Sequence, residues 1–302
     1  MWKCRACGRP VAPDRAFHSF DRMFSGTHPY RLVECPACRS LSVIDTVDSA
    51  QAYPPNYYTH SENASASGGV MHRAVVRAWK RLTNPAETRW LRELESRAER
   101  GHRLLDVGCG VGNLLRVAAH WGYDVYGVEP GNGAQVARAN GFAVQQCRFE
   151  DATFSPDSFD VVVINHVIEH LTDPGDALHR AAALLRSGGL LVVRTPVSDS
   201  MAFRLFRTFW VQLDAPRHLT IFSSRALQEL LKIAGFGQIQ AWRDSTGFQF
   251  VGSFIYSVHR PLAAVAHSHR RMAELLISPI VGVVNAVAMG DQVTVLATPV
   301  KA

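Results

Sequence analysis

The first chemistry legible in the chain belongs to four cysteines in two equal spacings, Cys4-Arg5-Ala6-Cys7 and Cys35-Pro36-Ala37-Cys38. A CxxC turn brings two thiolates together, and two such turns complete the tetrahedron of soft ligands that Zn2+ takes in structural sites. Four thiolates leave no open position for water or substrate, so a metal held there supports the fold and does no catalysis. The 27 residues between the pairs suffice for a hairpin. A segment of this size with few large apolar side chains also needs a staple to fold. His18 and His28 are not required as ligands. Disulfides are the poorer alternative, because no secretory signal is evident before the cysteines.

A second constellation runs Leu104-Leu105-Asp106-Val107-Gly108-Cys109-Gly110-Val111-Gly112-Asn113. An apolar strand ends at an acid and enters a turn in which Gly108, Gly110 and Gly112 let backbone approach a ligand. The dinucleotide fingerprint needs its third glycine at position 113, which is Asn113, and this argues against a dehydrogenase. Asp106 would repel a pyrophosphate but suits an ammonium group. Glu129 lies 21 residues after Gly108 at the end of the next strand, where a carboxylate can accept both ribose hydroxyls of an adenosine. The alternative for Glu129 is an ordinary strand-end acid.

Two clusters further on could supply a base. His166, Glu169 and His170 fall at i, i+3, i+4, a spacing that on a helix puts all three side chains on one face. They could orient a base, bind a divalent ion or tie loops together by hydrogen bonds. In Leu213-Asp214-Ala215-Pro216-Arg217-His218-Leu219, Arg217 could hold an anionic acceptor and His218 could take its proton. The structural alternative pairs Arg217 with Asp214 and leaves His218 capping a turn.

These groups need a scaffold, and hydrophobic periodicity supplies one. Strands are expected at 103–107, 124–128, 143–146, 159–164, 190–194, 238–243 and 292–298. Helices are expected at 71–82, from 85 to about 98, and at 113–120, 133–140, 167–171, 176–185 and 223–234, the last with Ser223 or Ser224 as N-cap. Alternation of this kind makes βαβ units and a parallel sheet. The expected organisation is a zinc-ribbon-like module at 1–50, a linker at 51–69 containing Tyr53, Tyr57 and Tyr58, and an α/β domain over 70–302. An apolar insertion at about 248–289, punctuated by Arg260, Arg270 and Arg271, reads as a helical lid over the acceptor. A face lying on a membrane surface is its alternative.

The 302 residues are 47% hydrophobic and 19% charged, which excludes a disordered chain. No signal peptide or convincing membrane span is read, so a cytoplasmic location is expected. The formal charge is +6, and residues 70–103 carry nine Arg and Lys against four Glu. Such a run usually forms a solvated helical face. A zinc-ribbon nucleic-acid-binding protein ranks low, since the chain has no aromatic–basic interleaving and no second basic run.

Taken together, LLDVGCGVGNLL at 104–115, VYGVEP at 125–130, FSPDSFDVVVINHVIEHLTDP at 154–174 and LLRSGGLLVVRTP at 184–196 resemble a class I S-adenosylmethionine-dependent methyltransferase over about residues 100–300. The resemblance implies a seven-stranded, mostly parallel Rossmann-like sheet with helices on both faces. It implies S-adenosylmethionine as cofactor, with the glycine loop around the methionine part and Glu129 on the ribose. Phe149 or Glu150 would lie near adenine, although Arg148 departs from the small or acidic residue usual there. Asn165 and His166 would face the methyl donor, and His166, His170 or His218 would serve as base. The IEH run is similar to that of ubiquinone-type O-methyltransferases, whose acidic ExxEH at this place is associated with a metal; here the first acid is His166. The ribbon, Tyr-rich linker and catalytic domain together resemble methyltransferases of sugars or envelope glycans. The implied partner is a small-molecule methyl acceptor, a sugar or glycan precursor, or alternatively a phenol or quinone precursor. Oligomeric state is left open.

Overall fold

The computed structural model describes residues 2–12, 16–24, 26–47, 52, 88–258 and 269–301. The linker tyrosines and the expected helix 71–82 lie outside the described residues.

The central element is a seven-stranded sheet. Its strands are β6 (Arg103–Val107), β7 (Asp124–Val128), β8 (Ala143–Gln145), β9 (Phe159–Asn165), β10 (Leu185–Pro196), β12 (Phe236–Asp244) and β13 (Gln292–Pro299), in the spatial order β12-β13-β10-β9-β6-β7-β8. The pairs from β10 through β9, β6 and β7 to β8 are parallel, and β13 runs antiparallel between β10 and β12. Strand order reverses on either side of β6, and such a switch point opens a ligand crevice at the carboxyl ends of the strands. Residues such as Leu105, Val162, Val163, Ile164, Leu191 and Val192 are completely buried because helices cover both faces.

Flanking helices are α1 (Arg89–Ser96), α2 (Asn113–Trp121), α3 (Gly133–Ala139), α4 (Pro174–Leu184), α5 (Met201–Phe206), α6 (Ser224–Ile233), α7 (Gly247–Ser257) and α8 (Arg270–Ala286). Their ends follow local chemistry. The Asp173 carboxylate accepts from Asp176 N and caps α4, with Pro174 in its first turn. Ser223 caps α6, and Thr246 with Gln249 forms a capping box on α7. Gly122 ends α2 in the left-handed conformation.

One expected element is corrected. Residues 167–171 are not an α-helix but a single 3-10 turn, Ile168–His170. His166 before it has φ 54°, and Leu171 after it is already extended. A left-handed kink and an extended residue leave room for one turn only. β10 also starts earlier than expected, because Leu185 leaves α4 and pairs with Phe159.

The cysteine-rich segment forms β1 (Trp2–Lys3), β2 (Pro10–Val11), β3 (Phe17–Phe20), β4 (Pro29–Glu34) and β5 (Leu41–Val43). β1 and β2 make one hairpin; β3, β4 and β5 make a meander to which β11 (Thr220–Ile221) adds a fourth strand. The module therefore shares a sheet with the α/β domain. It shares cores as well. Cys4, Ala6, Val11 and Val33 join the main core with Val197 and Phe222, while Leu32, Leu41 and Val43 pack with Phe203, Trp210, Phe250 and Val281.

Candidate active site

The glycine loop between β6 and α2 is shaped by close approaches. Gly108 has φ 71°, and a Cβ on it would stand 2.4 Å from Val167 Cγ2. Gly133 opens α3 so near the loop that a Cβ would stand 2.8 Å from the carbonyl carbon of Gly110. Glu129 at the end of β7 binds both sides of this junction. Its Oε2 accepts from Gly110 N at 3.0 Å and its Oε1 from Gly131 N at 2.7 Å. Each carboxylate oxygen keeps further acceptor capacity, which suits the two hydroxyls of a ribose. Asp106, 4% exposed, is pushed up to about 8 by burial and then by the nearby Glu129 charge. A buried carboxyl of this kind gains most from a cationic ligand group.

The adenine-side residues divide. Phe149 is buried in the main core, with the Arg180 guanidinium 5.4 Å from its ring centre. Glu150 pairs loosely with Arg148 at 3.4 Å, and its other oxygen, Oε2, is buried without a hydrogen-bond partner. A buried acceptor left open fits a ligand that brings a donor, as an adenine amino group does. Asn165 is the last residue of β9, half-buried beside the kinked His166.

Beyond β9 three polar side chains converge although they are not on one helix. One ligand atom from each of Glu169, His170 and His218 lies within 4.8 Å of the others. His170 Nδ1 donates to Arg217 O at 3.0 Å, and His218 Nδ1 donates to Gln212 O at 2.7 Å. A carbonyl only accepts, so the neutral ring of His218 carries its proton on Nδ1 and presents a bare Nε2. That Nε2 is 3.9 Å from both Glu169 Oε1 and Asp214 Oδ2. Glu169 is fully buried, which by itself would raise its pKa, yet the nearby His166, with the charges of His170 and His218, holds it at about 2. Its Oε2 accepts from Thr195 Oγ1 at 2.9 Å. Burial, with the adjacent His218, depresses His170 to about 4. His166 Nε2 lies 2.7 Å from Gln292 Oε1, and its Nδ1 stands 3.3 Å from Glu169 Oε1. Two imidazoles fixed through Nδ1 beside one carboxylate can take up a proton or hold a divalent cation.

Arg217 does not offer its charge to an acceptor, which corrects that expectation. It is 1% exposed and its guanidinium donates to Asp21 at 2.8 Å, to Asp214 and to Ala52 O. Sequence reading missed Asp21, which stands 196 positions away, and Gln212 and Thr195, which fix His218 and Glu169. No local pattern marks any of them.

The four cysteines meet as their spacing implied. Cys4 Sγ and Cys38 Sγ are 3.6 Å apart, Cys7 Sγ and Cys35 Sγ 3.7 Å, and none is in a disulfide. Tetrahedral Zn–S bonds of about 2.3 Å put sulfurs about 3.8 Å apart, so the thiols fit a zinc ion. The hydrogen bond between Cys4 and Cys38 lowers the pKa of Cys38, while that bond and burial push Cys4 up.

A family model described as a methyltransferase domain matches residues 75–241. The ubiquinone biosynthesis O-methyltransferase of Bradyrhizobium sp. (strain ORS 278) is 37% identical over 112 residues, covering 35% of this chain and 44% of that protein. The protein of the same name from Azorhizobium caulinodans is 35% identical over 157 residues, covering 50% of this chain and 60% of its own length. The chain thus spans about half the length of these relatives. Among solved structures, a chain from the complex of the Haloferax volcanii Trm112 methyltransferase activator with a methyltransferase superposes with a TM-score of 0.50 at 15% identity, covering 78% of this chain and 99% of that one. This last likeness concerns the fold. Among the described residues, no helix is long and apolar enough to cross a membrane.

Proposed function

We propose, from the premise that this chain belongs to the methyltransferase family whose model it matches, that it moves a methyl group from S-adenosylmethionine to a hydroxyl of a small molecule. A phenol of the quinone-precursor kind is the acceptor class favoured by the names of the relatives. The observation that carries the reading is Glu129, held between Gly110 and Gly131 at the mouth of the sheet. When bound, S-adenosylmethionine supplies a methyl group on a sulfonium. Glu129 would hold its ribose, Asp106 and the glycine loop its amino-acid end, and Glu150 its adenine.

The chain's own residues then have two tasks. Nε2 of His218 takes the acceptor's proton, and Glu169 and Asp214 stabilise the imidazolium that results. Gln212 fixes the ring's tautomer and direction, and Thr195 and His166 hold Glu169. Burial of Glu169 and His218 excludes water and strengthens these interactions. The four cysteines would hold a structural zinc ion.

The test supplies methyl-labelled S-adenosylmethionine with two panels, catechol-type phenols and free or nucleotide-linked sugars. The comparison variant is His218→Asn, whose amide can still reach Gln212 O. Label transferred to phenols by the wild type and lost in the variant supports the reading. Transfer to sugars alone replaces the phenol with the glycan acceptor. No transfer to either panel by cofactor-binding protein overturns the small-molecule hydroxyl.

A further inference from the structure

A cavity of about 400 Å3 opens where the cysteine module meets the α/β domain, lined by Glu34, Arg39, Ser198, Asp199, Phe203, Arg204 and Arg207. Its size is that of a small-molecule site. Its charges do not cancel. Glu34 is already paired with Arg39 at 2.7 Å. Asp199 accepts from Ser224 N and from Arg243, which lies outside the lining, at 3.1 and 3.4 Å. Arg204 and Arg207 make no ion pair among the described residues. Among the described residues the lining thus keeps two exposed guanidinium groups with no paired carboxylate, both at the end of one short helix, three positions apart.

The backbone gives an independent sign at two of the lining arginines, Arg39 and Arg207. The two CxxC knuckles are built alike: Gly8 N donates to Cys4 O at 2.8 Å, and Arg39 N donates to Cys35 O at 2.8 Å. Gly8 has φ 71° and Arg39 has φ 65°. The first knuckle uses glycine for the left-handed residue, and the second uses an arginine that bears the steric cost of its Cβ. Arg207 repeats the pattern at φ 49°, ψ −120°, a region suited to glycine. Its guanidinium lies 5.5 Å from the ring centre of Phe203, another lining residue. Ser198 Oγ donates to Arg39 O at 2.8 Å and so locks the knuckle to the segment after β10.

We propose that this cavity binds the phosphate of a phosphorylated small molecule, with Arg204 and Arg207 as its ligands, Phe203 as an apolar wall and the cysteine module completing the site through Arg39. A phosphate monoester carries about −1.5 to −2 charge at pH 7, which matches the two unpaired guanidinium groups. Planar guanidinium groups favour the paired hydrogen bonds that phosphate oxygens accept. The inference does not rest on the methyl-transfer reading, because no group in the cavity belongs to the cofactor cradle or to the His218 cluster.

The test titrates the full zinc-loaded chain with phenyl phosphate, inorganic phosphate and benzoate by calorimetry at low salt. Expected is saturable binding of phenyl phosphate, tighter than that of the other two. Arg204→Gln with Arg207→Gln should weaken it at least about tenfold, the scale of losing charge-assisted hydrogen bonds. Arg39→Gly should weaken it by a smaller factor while the protein stays at least as stable as wild type, since glycine suits φ 65°. S-adenosylmethionine binding and zinc content serve as folding controls in every variant. Absence of saturable phenyl phosphate binding, or unchanged affinity in the double variant, overturns the proposal. Equal binding of benzoate overturns the phosphate assignment, and equal binding of inorganic phosphate overturns the ester.

Discussion

Between Arg103 and Asn165 the contacts that shape the site are local: Glu129 reaches Gly110 across 19 positions and Gly131 across two. Around His218 they are not: Arg217 reaches Asp21 across 196 positions, and Ser223 reaches Cys38 across 185. The first region is mostly backbone, glycine turns clasped by one carboxylate. The second is mostly side chain, a buried network assembled from two ends of the chain. A cradle built from backbone depends on a few small residues. A network built from distant side chains depends on everything that brings its parts together, the cysteine module first of all.

Breaking the four-cysteine cluster, which is proposed to hold zinc, should therefore divide the two regions most sharply. Structural zinc contributes on the order of 10–16 kcal/mol of apparent binding free energy in small metal modules. With Cys35→Ser, or after chelation, we expect loss of zinc, a large fall in melting temperature and exposure of the Arg217 network to hydrogen exchange. S-adenosylmethionine affinity should change far less. Equal collapse of cofactor binding would break the comparison.

Asp21→Ala acts on the joint itself. It removes a carboxylate that takes two hydrogen bonds from the buried Arg217 guanidinium, and removing one member of a buried ion pair typically costs about 3–5 kcal/mol. Denaturant unfolding should show that loss. A cost below about 1 kcal/mol would place the pair in the range of exposed ion pairs.

The cradle is sharpened by pH. The Asp106 carboxyl is raised to about 8 in the folded protein, whereas an unfolded aspartate titrates near 4. Its stability contribution is full below that unfolded value and is lost as pH rises toward 8, so the ligand-free protein weakens over this window. A cationic cofactor group favours the ionised form, so S-adenosylmethionine affinity should rise with pH below 8 by up to about tenfold per unit. Asp106→Asn should flatten the profile. A flat wild-type profile would separate Asp106 from the ligand.

The smallest effect concerns Ser223, which caps α6 through Ala226 N at 3.2 Å and donates to Cys38 O at 2.6 Å. Ser223→Ala should cost about 1 kcal/mol, the usual scale of an N-cap, with cofactor affinity unchanged.

The same contrast explains what the sequence disclosed. The seven strands, the glycine loop and the meeting of Cys4, Cys7, Cys35 and Cys38 were legible because period, turn chemistry and spacing are local signals. The pairing of β11 with β5 was not, since two-residue Thr220–Ile221 carries no periodicity. The single turn at 168–170 was hidden because apolar spacing cannot show that His166 takes a positive φ. Arg217 read equally well as an acceptor clamp or a structural ion pair. Burial against Asp21 decided between them, and burial is a property of the folded chain.

The most direct test of the central claim is calorimetry of S-adenosylmethionine binding to zinc-loaded protein, wild type against Glu129→Ala. The account predicts saturable wild-type binding, in the roughly micromolar range usual for such ligands, weakened at least about tenfold when the ribose carboxylate is removed. Folded wild type that does not bind, or a variant that binds as tightly, would contradict it.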